Sequence, residues 1–137
     1  GLAAAVLTRF NLPPAWHAVA RENWRLIPVP LAKRREKERG FNQAELLATS
    51  LSEITSLPIL KALIRTRNTK AQSTLVHEVR AQNMAKAFAL APEVDVKGLG
   101  IILVDDVYTT GATLEECART LIQAGATEVW GLVVARG

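Results

Sequence analysis

The chain has 137 residues, a net charge of +4, 49% hydrophobic residues and 22% charged residues, as expected for one globular domain with its own core. Its apolar runs are far shorter than the ~20 residues of a membrane helix, and its opening residues lack the flanks of a secretory signal, so we expect no membrane insertion. Cys117 is the only cysteine, which excludes an internal disulfide or a cysteine zinc site within these residues and favours a cytoplasmic location.

The first part of the chain predicts a helix, a strand and then a basic segment. Pro13 and Pro14 can open a short helix that runs to about Asn23, because proline is tolerated in the first helical turn. Residues 26–30 are predicted as a short strand whose prolines favour a sheet edge or a strand end. The segment 33–39 then carries five basic and two acidic residues. A solvated surface is the ordinary explanation of such a run, and an anion site built from loops is the sharper one.

A helix is predicted over roughly 43–55. Asn42 is a suitable N-cap with Glu45 as its capping-box partner, and apolar residues recur at helical spacing through the segment. Residues 58–64 are predicted as a second strand. The segment 65–74 is polar and basic, and it adds to the positive charge of the first basic segment.

The next part of the chain predicts a short helix near 75–83, a strand over 87–90 and a turn region over 92–100. Residues 101–105 form the clearest strand of the chain, a continuous apolar run that ends in an acid. Such a run is typical of a central strand that is covered on both faces.

A helix and a last strand complete the chain. Thr113 and Glu116 form a second capping box, and Gly125 is the expected residue after the helix end. Residues 129–135 are predicted as the final strand. Because strands alternate with helices, we expect an α/β fold with a mostly parallel sheet.

Two carboxylates, Asp105 and Asp106, lie at the end of the clearest strand. Ligands of open parallel sheets bind beyond the carboxyl ends of the strands. Residues 109–113, TTGAT, join this end to a helix N-terminus, whose free N–H groups and dipole favour an anion. A phosphate monoester fits that loop, whereas the carboxylates suit sugar hydroxyls or a cation. The pattern therefore predicts a sugar phosphate site, against the alternative of an ordinary strand–loop–helix connection with a polar rim.

Other phosphate motifs do not fit the chain. A P-loop needs a Gly-Lys pair, which is absent, and the only GxG, at 98–100, precedes a strand rather than following one. A receiver domain needs a phospho-acceptor Asp at the end of a later strand, and no Asp follows Asp106.

Three stretches resemble a known family. ILVDDVYTTGAT resembles the phosphoribosyl pyrophosphate (PRPP) motif of type I phosphoribosyltransferases. PVPLAKRREKERGFNQAELLA and RTRNTKAQSTLVHEVRAQNMAKAF are similar to segments of ComF-like competence proteins and their GntX-type relatives. The resemblance covers most of residues 26–136. It implies a single domain over 1–137 with a three-layer α/β fold, in which helices flank a mostly parallel central sheet and a mobile loop covers the active site.

The chain departs from the family at its start. Full-length members commonly carry an N-terminal cysteine-rich, zinc-ribbon-like part, which is absent here, so no zinc is assigned to this chain. Gly1 stands where a methionine is expected. We therefore expect either a C-terminal fragment of a longer protein or a member that lacks this part.

The resemblance implies transfer of the 5-phosphoribosyl group of PRPP to a nitrogen acceptor, with release of pyrophosphate. Asp105 and Asp106 would be the catalytic acids that bind the ribose hydroxyls, and Mg²⁺ would lie near them, held through PRPP and water without direct protein ligands. Three further groups of residues receive roles from the resemblance. They are the 5-phosphate loop of Thr109, Thr110, Gly111, Ala112 and Thr113, the pyrophosphate group of Arg34, Arg35, Arg39 and Gly40, and the mobile-loop group of Arg67, Gln72 and Arg80.

Two other functions stay open beside the enzyme. One is a non-catalytic module that serves DNA uptake, with single-stranded DNA or the uptake machinery as partner, and the other is a regulator that senses PRPP or nucleotides. The basic segments would suit a DNA backbone, but no aromatic patch for stacking on bases is apparent. Neither the acceptor nor the oligomeric state has a signature in the sequence, and a homodimer stays open.

Overall fold

The computed structural model describes residues 2–10, 19–31, 42–66, 87–106 and 111–136, with only the backbone described at 2–10, 111–112 and 134–136. A single 3₁₀ turn, Arg21–Asn23, lies among these residues. The strands and α-helices follow in the order β1 (Leu2–Phe10), β2 (Trp24–Pro28), α1 (Gln43–Thr55), β3 (Leu63–Arg65), β4 (Phe88–Leu90), β5 (Gly100–Asp106), α2 (Gly111–Gln123) and β6 (Glu128–Arg136).

The main sheet has the strand order β1-β6-β5-β2. Strands β2, β5 and β6 are parallel, and β1 is antiparallel to β6. A parallel bridge between Leu26 and Ile59 adds a further partner beside β2, with hydrogen bonds from Leu26 N–H to Pro58 and from Leu60 N–H to Leu26. The predicted α/β fold with a mostly parallel sheet is confirmed.

The sheet carries one helix on each face. Side chains alternate between the two faces along a strand. Ile27 and Leu103 belong to the buried cluster that includes the apolar residues of α2, whereas Leu26 and Val104 pack in a second cluster with Ala48 of α1. The three-layer arrangement is therefore present. Neither helix is both long and apolar enough to cross a membrane, and the same holds throughout the described ranges.

Five of the predicted elements, α1, β2, β4, β5 and β6, lie within two residues of their predicted bounds. The long apolar run of β5 is explained by its position, since it pairs with β2 on one side and β6 on the other and all but one of its residues are buried.

Helix α1 begins and ends with recognisable caps. The side chain of Asn42 accepts a hydrogen bond from the Ala44 N–H at 2.9 Å, which confirms Asn42 as the N-cap. The carboxylate of Glu45, the predicted capping-box partner, lies 2.9 Å from Lys61 Nζ. At the other end, Ser56 adopts a left-handed conformation with φ of 63°, which ends the helix.

The predicted capping box of α2 is wrong. The helix begins at Gly111, so Thr113 already lies in its first turn and cannot be the N-cap. Glu116 consequently lies in the second turn, away from the unpaired N–H groups that a capping box would satisfy.

The end of α2 is a Schellman motif. Ala126 N–H donates to the carbonyl of Leu121, and Gly125 N–H donates to that of Ile122, each at 3.0 Å. Gly125 has φ of +108°, which a residue with a side chain rarely adopts. The predicted role of Gly125 is therefore confirmed.

The strand predicted over 58–64 is divided in the structure. Ile59 bridges to the main sheet, whereas β3 starts at Leu63 and pairs antiparallel with β4 in a separate two-stranded ribbon. Between them the N–H of Ala62 donates to the carbonyl of Leu60, a tight turn that redirects the chain out of the main sheet.

The beginning of the chain differs most from the sequence-based expectation. Strand β1 was not predicted, since three consecutive alanines in LAAAVLTRF give a weak strand signal. Of the helix predicted over 13–23, the described part holds only the 3₁₀ turn. The helix predicted near 75–83 lies outside the described residues.

Gly100 permits close packing of Trp24 against β5. The two residues are paired in the register of β2 and β5, and a Cβ atom on Gly100 would lie 2.6 Å from the indole ring. The indole is fixed in turn, because its Nε1 donates to the carbonyl of Val19 at 3.0 Å. We expect Gly100→Ala to lower the free energy of unfolding by about 1–3 kcal/mol, as an overpacked core does, in urea denaturation.

A double-mutant cycle supplies the control. Trp24→Leu removes the indole, so Gly100→Ala should cost much less in that background than in the parent. Equal costs in both backgrounds would show that the indole is not the obstacle.

Candidate functional site

The site is centred on the carboxyl end of β5. Asp105 and Asp106 are its last two residues, and they are only 2% and 8% exposed. On one side β6 continues past them, and on the other the chain beyond β2 stays attached, because Val29 N–H donates to the carbonyl of Val104 at 2.9 Å. Both acids are therefore held at the carboxyl edge of the sheet, where ligands of open parallel sheets bind.

The two carboxylates point to opposite faces of the sheet. Because β-strand side chains alternate, Asp105 shares a face with Leu103 on the α2 side, and Asp106 shares a face with Val104 on the α1 side. The backbone N–H of Asp106 donates to Asp105 Oδ1 at 2.9 Å. The repulsion expected of sequence neighbours is thus reduced by divergence of their side chains.

Four residues lie between the acid pair and Gly111, the first residue of helix α2. Thr113, in its first turn, has its side chain buried, and Gly111 and Ala112 form the start of the helix backbone. A helix N-terminus leaves N–H groups unpaired and attracts anions. The predicted phosphate-binding residues of the helix therefore lie next in the chain to the predicted ribose-binding acids.

The buried thiol of Cys117 shows which charges lie near α2. Burial raises the pKa of this thiol most, and the carboxylate of Asp105 raises the pKa further. The guanidinium of Arg65 lowers the thiol pKa, and Glu116 raises it slightly. Asp105 and Arg65 therefore act on the same buried sulfur. The raised pKa keeps Cys117 a neutral core residue and excludes it as a nucleophile at neutral pH.

Sequence reasoning missed Arg65. It is the last residue of β3, and its Nε donates to the carbonyl of Pro30 at 3.0 Å. The signal available in the sequence was the polar residue directly after the apolar end of a predicted strand. The sequence analysis treated Arg65 only as part of the polar and basic segment 65–74.

A small pocket of about 130 Å³ lies beside the end of β2. One wall carries the ion pair of Lys61 and Glu45, whose Nζ and Oε1 atoms lie 2.9 Å apart. It is lined by Pro28, Pro30, Leu31, Asn42, Glu45, Lys61 and Leu63.

Among the described residues, Asp105, Asp106 and the start of α2 lie together at one edge of the sheet. The remaining predicted site residues lie outside the described part of the chain. These are Arg34, Arg35, Arg39 and Gly40 of the pyrophosphate group, Thr109 and Thr110 of the phosphate loop, and Arg67, Gln72 and Arg80 of the mobile-loop group.

A comparison with known families identifies the class of this domain. Residues 37–137 match the family model described as Phosphoribosyl transferase domain, so the chain belongs to the phosphoribosyl transferase domain family. This match agrees with the parallel sheet and the flanking helices.

Within the phosphoribosyl transferase domain family, the similar curated proteins are ComF-like proteins. The chain is 42% identical over 111 residues to DNA utilization protein YhgH of Escherichia coli, covering 79% of this chain and 48% of that protein. It is 41% identical over 111 residues to Competence protein F of Haemophilus influenzae, covering 78% and 48%. It is 42% identical over 100 residues to Competence protein ComFC of Bacillus subtilis, covering 73% and 39%.

The chain spans about half the length of these curated relatives or somewhat less. No solved structure matches it significantly.

Glu116 is a buried carboxyl next to this edge, and it gives a pH-dependent prediction. Its side chain is 8% exposed, and burial raises its pKa from the ordinary value of 4.5, although Arg119 at 3.7 Å opposes the rise. The native state then binds the proton more tightly than the unfolded state, so the ionised carboxylate reduces stability as the pH rises through 4.5. We expect Glu116→Gln to raise the melting temperature at pH 7.

The gain should shrink as the pH falls below 4.5, where parent and variant are both neutral at this position. Glu115→Gln is the matched control, since Glu115 is the exposed neighbour and the substitution changes the net charge equally. A gain at pH 7 that is the same for both variants would assign the effect to net charge rather than to burial.

Proposed function

We propose that this domain binds PRPP at the carboxyl edge of β5 and transfers its 5-phosphoribosyl group to a nitrogen acceptor with release of pyrophosphate. The observation that carries the proposal is the placement of two buried carboxylates at the end of a central parallel strand, separated by four residues from a helix whose first turn carries a buried threonine. The family match supports it, since this is the edge at which a phosphoribosyl group would be held.

The two carboxylates suit the ribose hydroxyls. Hydroxyls donate, and ionised carboxylates only accept, so the pair selects neutral donors and disfavours phosphate at the same place. Since Asp105 and Asp106 leave the strand end on opposite faces, each would take a different hydroxyl. The 5-phosphate would lie beyond them at the start of α2, bound by backbone N–H groups and by the hydroxyls of Thr109, Thr110 and Thr113.

The reaction needs little covalent help from the protein. The bond from C1 of the ribose to pyrophosphate breaks as the acceptor nitrogen bonds to C1. In the transition state, positive charge develops on the ribose and negative charge develops on the leaving pyrophosphate. The carboxylates would stabilise the first charge, and Arg34, Arg35 and Arg39 the second. Catalysis would then rest on positioning and electrostatics.

Magnesium is the cation that this chemistry implies, and carboxylate oxygens are among the hard ligands that it prefers. No group of three or more His, Cys, Asp or Glu side chains that could hold a metal ion occurs among the residues that the structure describes. As the family resemblance implies, Mg²⁺ would be held through PRPP and water, with Asp105 and Asp106 nearby. Bound there, it would neutralise charge on the leaving group.

The acid pair provides the first test. The double variant Asp105→Asn, Asp106→Asn keeps the shape of both side chains and removes their charge, so the fold should persist. The free energy of PRPP binding should weaken by about 1.5–3 kcal/mol for each strong hydrogen bond that is lost. Calorimetric titration with PRPP and Mg²⁺ measures the loss, and thermal melting checks the fold. We expect a melting temperature at or above that of the parent, because two negative charges are removed.

Inorganic phosphate is the control ligand for this variant. It should bind at the start of α2 as well as before, or better once the neighbouring negative charge has gone. Normal PRPP binding by a folded variant would show that the pair is structural, and so would unfolding of the variant.

The basic segment after β2 provides the second test. Replacing Arg34, Arg35 and Arg39 with alanine should weaken PRPP binding more than ribose 5-phosphate binding, because only PRPP carries the pyrophosphate. Titrations of the same variant with both ligands give the comparison. Equal losses would indicate a general positive field rather than a pyrophosphate site.

A second candidate function follows from the names of the relatives, which include DNA utilization and competence proteins. In this reading the domain is a PRPP-fold module without turnover that serves DNA uptake or utilisation, or one that senses PRPP. Direct capture of DNA at the β5 edge is disfavoured, because Asp105 and Asp106 would repel phosphodiesters.

Three measurements separate these functions: pyrophosphate release, PRPP binding and DNA binding. Pyrophosphate release from PRPP and Mg²⁺ is measured across purine, pyrimidine and amine acceptors, and single-stranded DNA binding is measured over a range of salt concentrations. Turnover with any acceptor supports the enzyme. PRPP binding without turnover favours the sensor, and DNA binding that weakens steeply with salt, without PRPP binding, favours the DNA module.

A further inference from the structure

The ladder of hydrogen bonds between β2 and β5 ends at the acid pair. In a parallel ladder, the N–H and the carbonyl of one residue bond to two residues of the neighbouring strand that flank its partner. Val29 makes the first bond of such a pair, since its N–H donates to the carbonyl of Val104 at 2.9 Å. The regular second bond would run from the Asp106 N–H to the Val29 carbonyl. Strand β2 nevertheless ends at Pro28, so the ladder stops before this second bond.

Two side chains bond to the groups that this second bond would have joined. The carbonyl of Val29 accepts a hydrogen bond from Asn42 Nδ2 at 3.4 Å, which is long for a bond of this type. The N–H of Asp106 donates to Oδ1 of Asp105 at 2.9 Å. The end of the ladder therefore coincides with a bond that fixes one of the two acids.

Asn42 is held in this position by the start of α1. Its Oδ1 accepts a hydrogen bond from the Ala44 N–H at 2.9 Å, and the residue is only 8% exposed. A carboxamide has both an acceptor oxygen and two N–H donors, so one side chain can cap a helix and donate to a strand. An ionised aspartate, another common N-cap residue, could cap the helix but could not donate.

We propose that Asn42 is a positioning residue of the acid pair: its carboxamide occupies the Val29 carbonyl and leaves the Asp106 N–H to hold the Asp105 carboxylate. Val29 is only 3% exposed, and a buried carbonyl without a partner is costly. Without Asn42, this carbonyl would therefore compete for the Asp106 N–H, and Asp105 would lose the bond that fixes its side chain.

The consequence for a ligand rests on the proposed function. A carboxylate that is already fixed loses less conformational freedom when a ribose hydroxyl binds to it. Asn42 would thus favour sugar binding at the β5 edge without touching the sugar.

The test separates the donor of Asn42 from its helix cap. Asn42→Asp keeps the cap acceptor and removes the donor, but it adds a negative charge. Asn42→Ala removes both donor and cap and adds no charge, so an effect that the two variants share belongs to the lost donor. Ser52→Ala is the matched control, because Ser52 also donates from α1 to a main-chain carbonyl, that of Leu57 at 2.6 Å, but toward the other end of the helix.

NMR scalar couplings across hydrogen bonds report which acceptor the Asp106 N–H uses, and they need no ligand. In the parent and in Ser52→Ala, we expect a coupling from the Asp106 nitrogen to the Asp105 carboxylate carbon and none to the Val29 carbonyl carbon. In both Asn42 variants, the first coupling should weaken and a coupling to Val29 should appear. Unchanged couplings in either folded variant would overturn the proposal, and so would a coupling to Val29 in the parent. If Asn42→Ala does not fold, Asn42→Asp decides, because it keeps the helix cap.

Binding of ribose 5-phosphate gives the functional readout. We expect both Asn42 variants to bind it about three- to tenfold more weakly than the parent, the range for one neutral hydrogen bond, and Ser52→Ala to bind it within about twofold. Shifted couplings with unchanged affinity would overturn the role in sugar binding. If the parent binds neither ribose 5-phosphate nor PRPP, the proposed function fails, and the couplings then decide the role of Asn42 at the acid pair by themselves.

Discussion

The parallel pairing of β5 with both β2 and β6 is the constraint on which the site depends. Parallel strands end at the same edge, so this pairing brings together the end of β2, the acid pair and the start of α2. Because β5 is covered on both faces, its apolar run must stay unbroken until the edge, and polar chemistry can begin only there. Asp105 and Asp106 are the first positions of β5 at which a polar side chain lies at the carboxyl edge of the sheet, although both remain buried.

The two faces of the sheet give the two acids different surroundings. Asp105 lies on the face of α2 and the ribbon, where Arg65 supplies positive charge, and Asp106 lies on the face of α1 beside the loop that leaves β2. A ligand over the end of β5 would therefore meet different surroundings on the two faces of the sheet.

The sequence was sufficient to locate the parts of the candidate site that are local in the chain. The acids, the helix start and the strand before them lie within 101–113, and their order alone predicts a phosphate beside a pair of hydroxyls. The division of the acids between two faces was also predictable, since strand alternation needs no tertiary information. The contact between Arg65 and Pro30 was not, because it depends on the turn at Ala62 that moves β3 out of the main sheet. Strand β1 was not predicted because its alanines have a low strand propensity. Its stability as a strand comes from pairing with β6, which lies far away in the sequence.

Burial of the acid pair also decides what it can contribute to binding. Both carboxylates are nearly enclosed, at 2% and 8% exposure, and each already has an interaction partner in the protein. An ionised carboxylate has about four acceptor sites, so a hydroxyl can bind to it without displacing that partner. On the proposed function, each ribose hydroxyl would make a charge-assisted hydrogen bond worth about 1.5–3 kcal/mol. A sugar without that hydroxyl would cover the carboxylate and leave an acceptor unmet, which costs about 1–3 kcal/mol or more. The pair would therefore both supply affinity for the correct sugar and reject a sugar that lacks a hydroxyl.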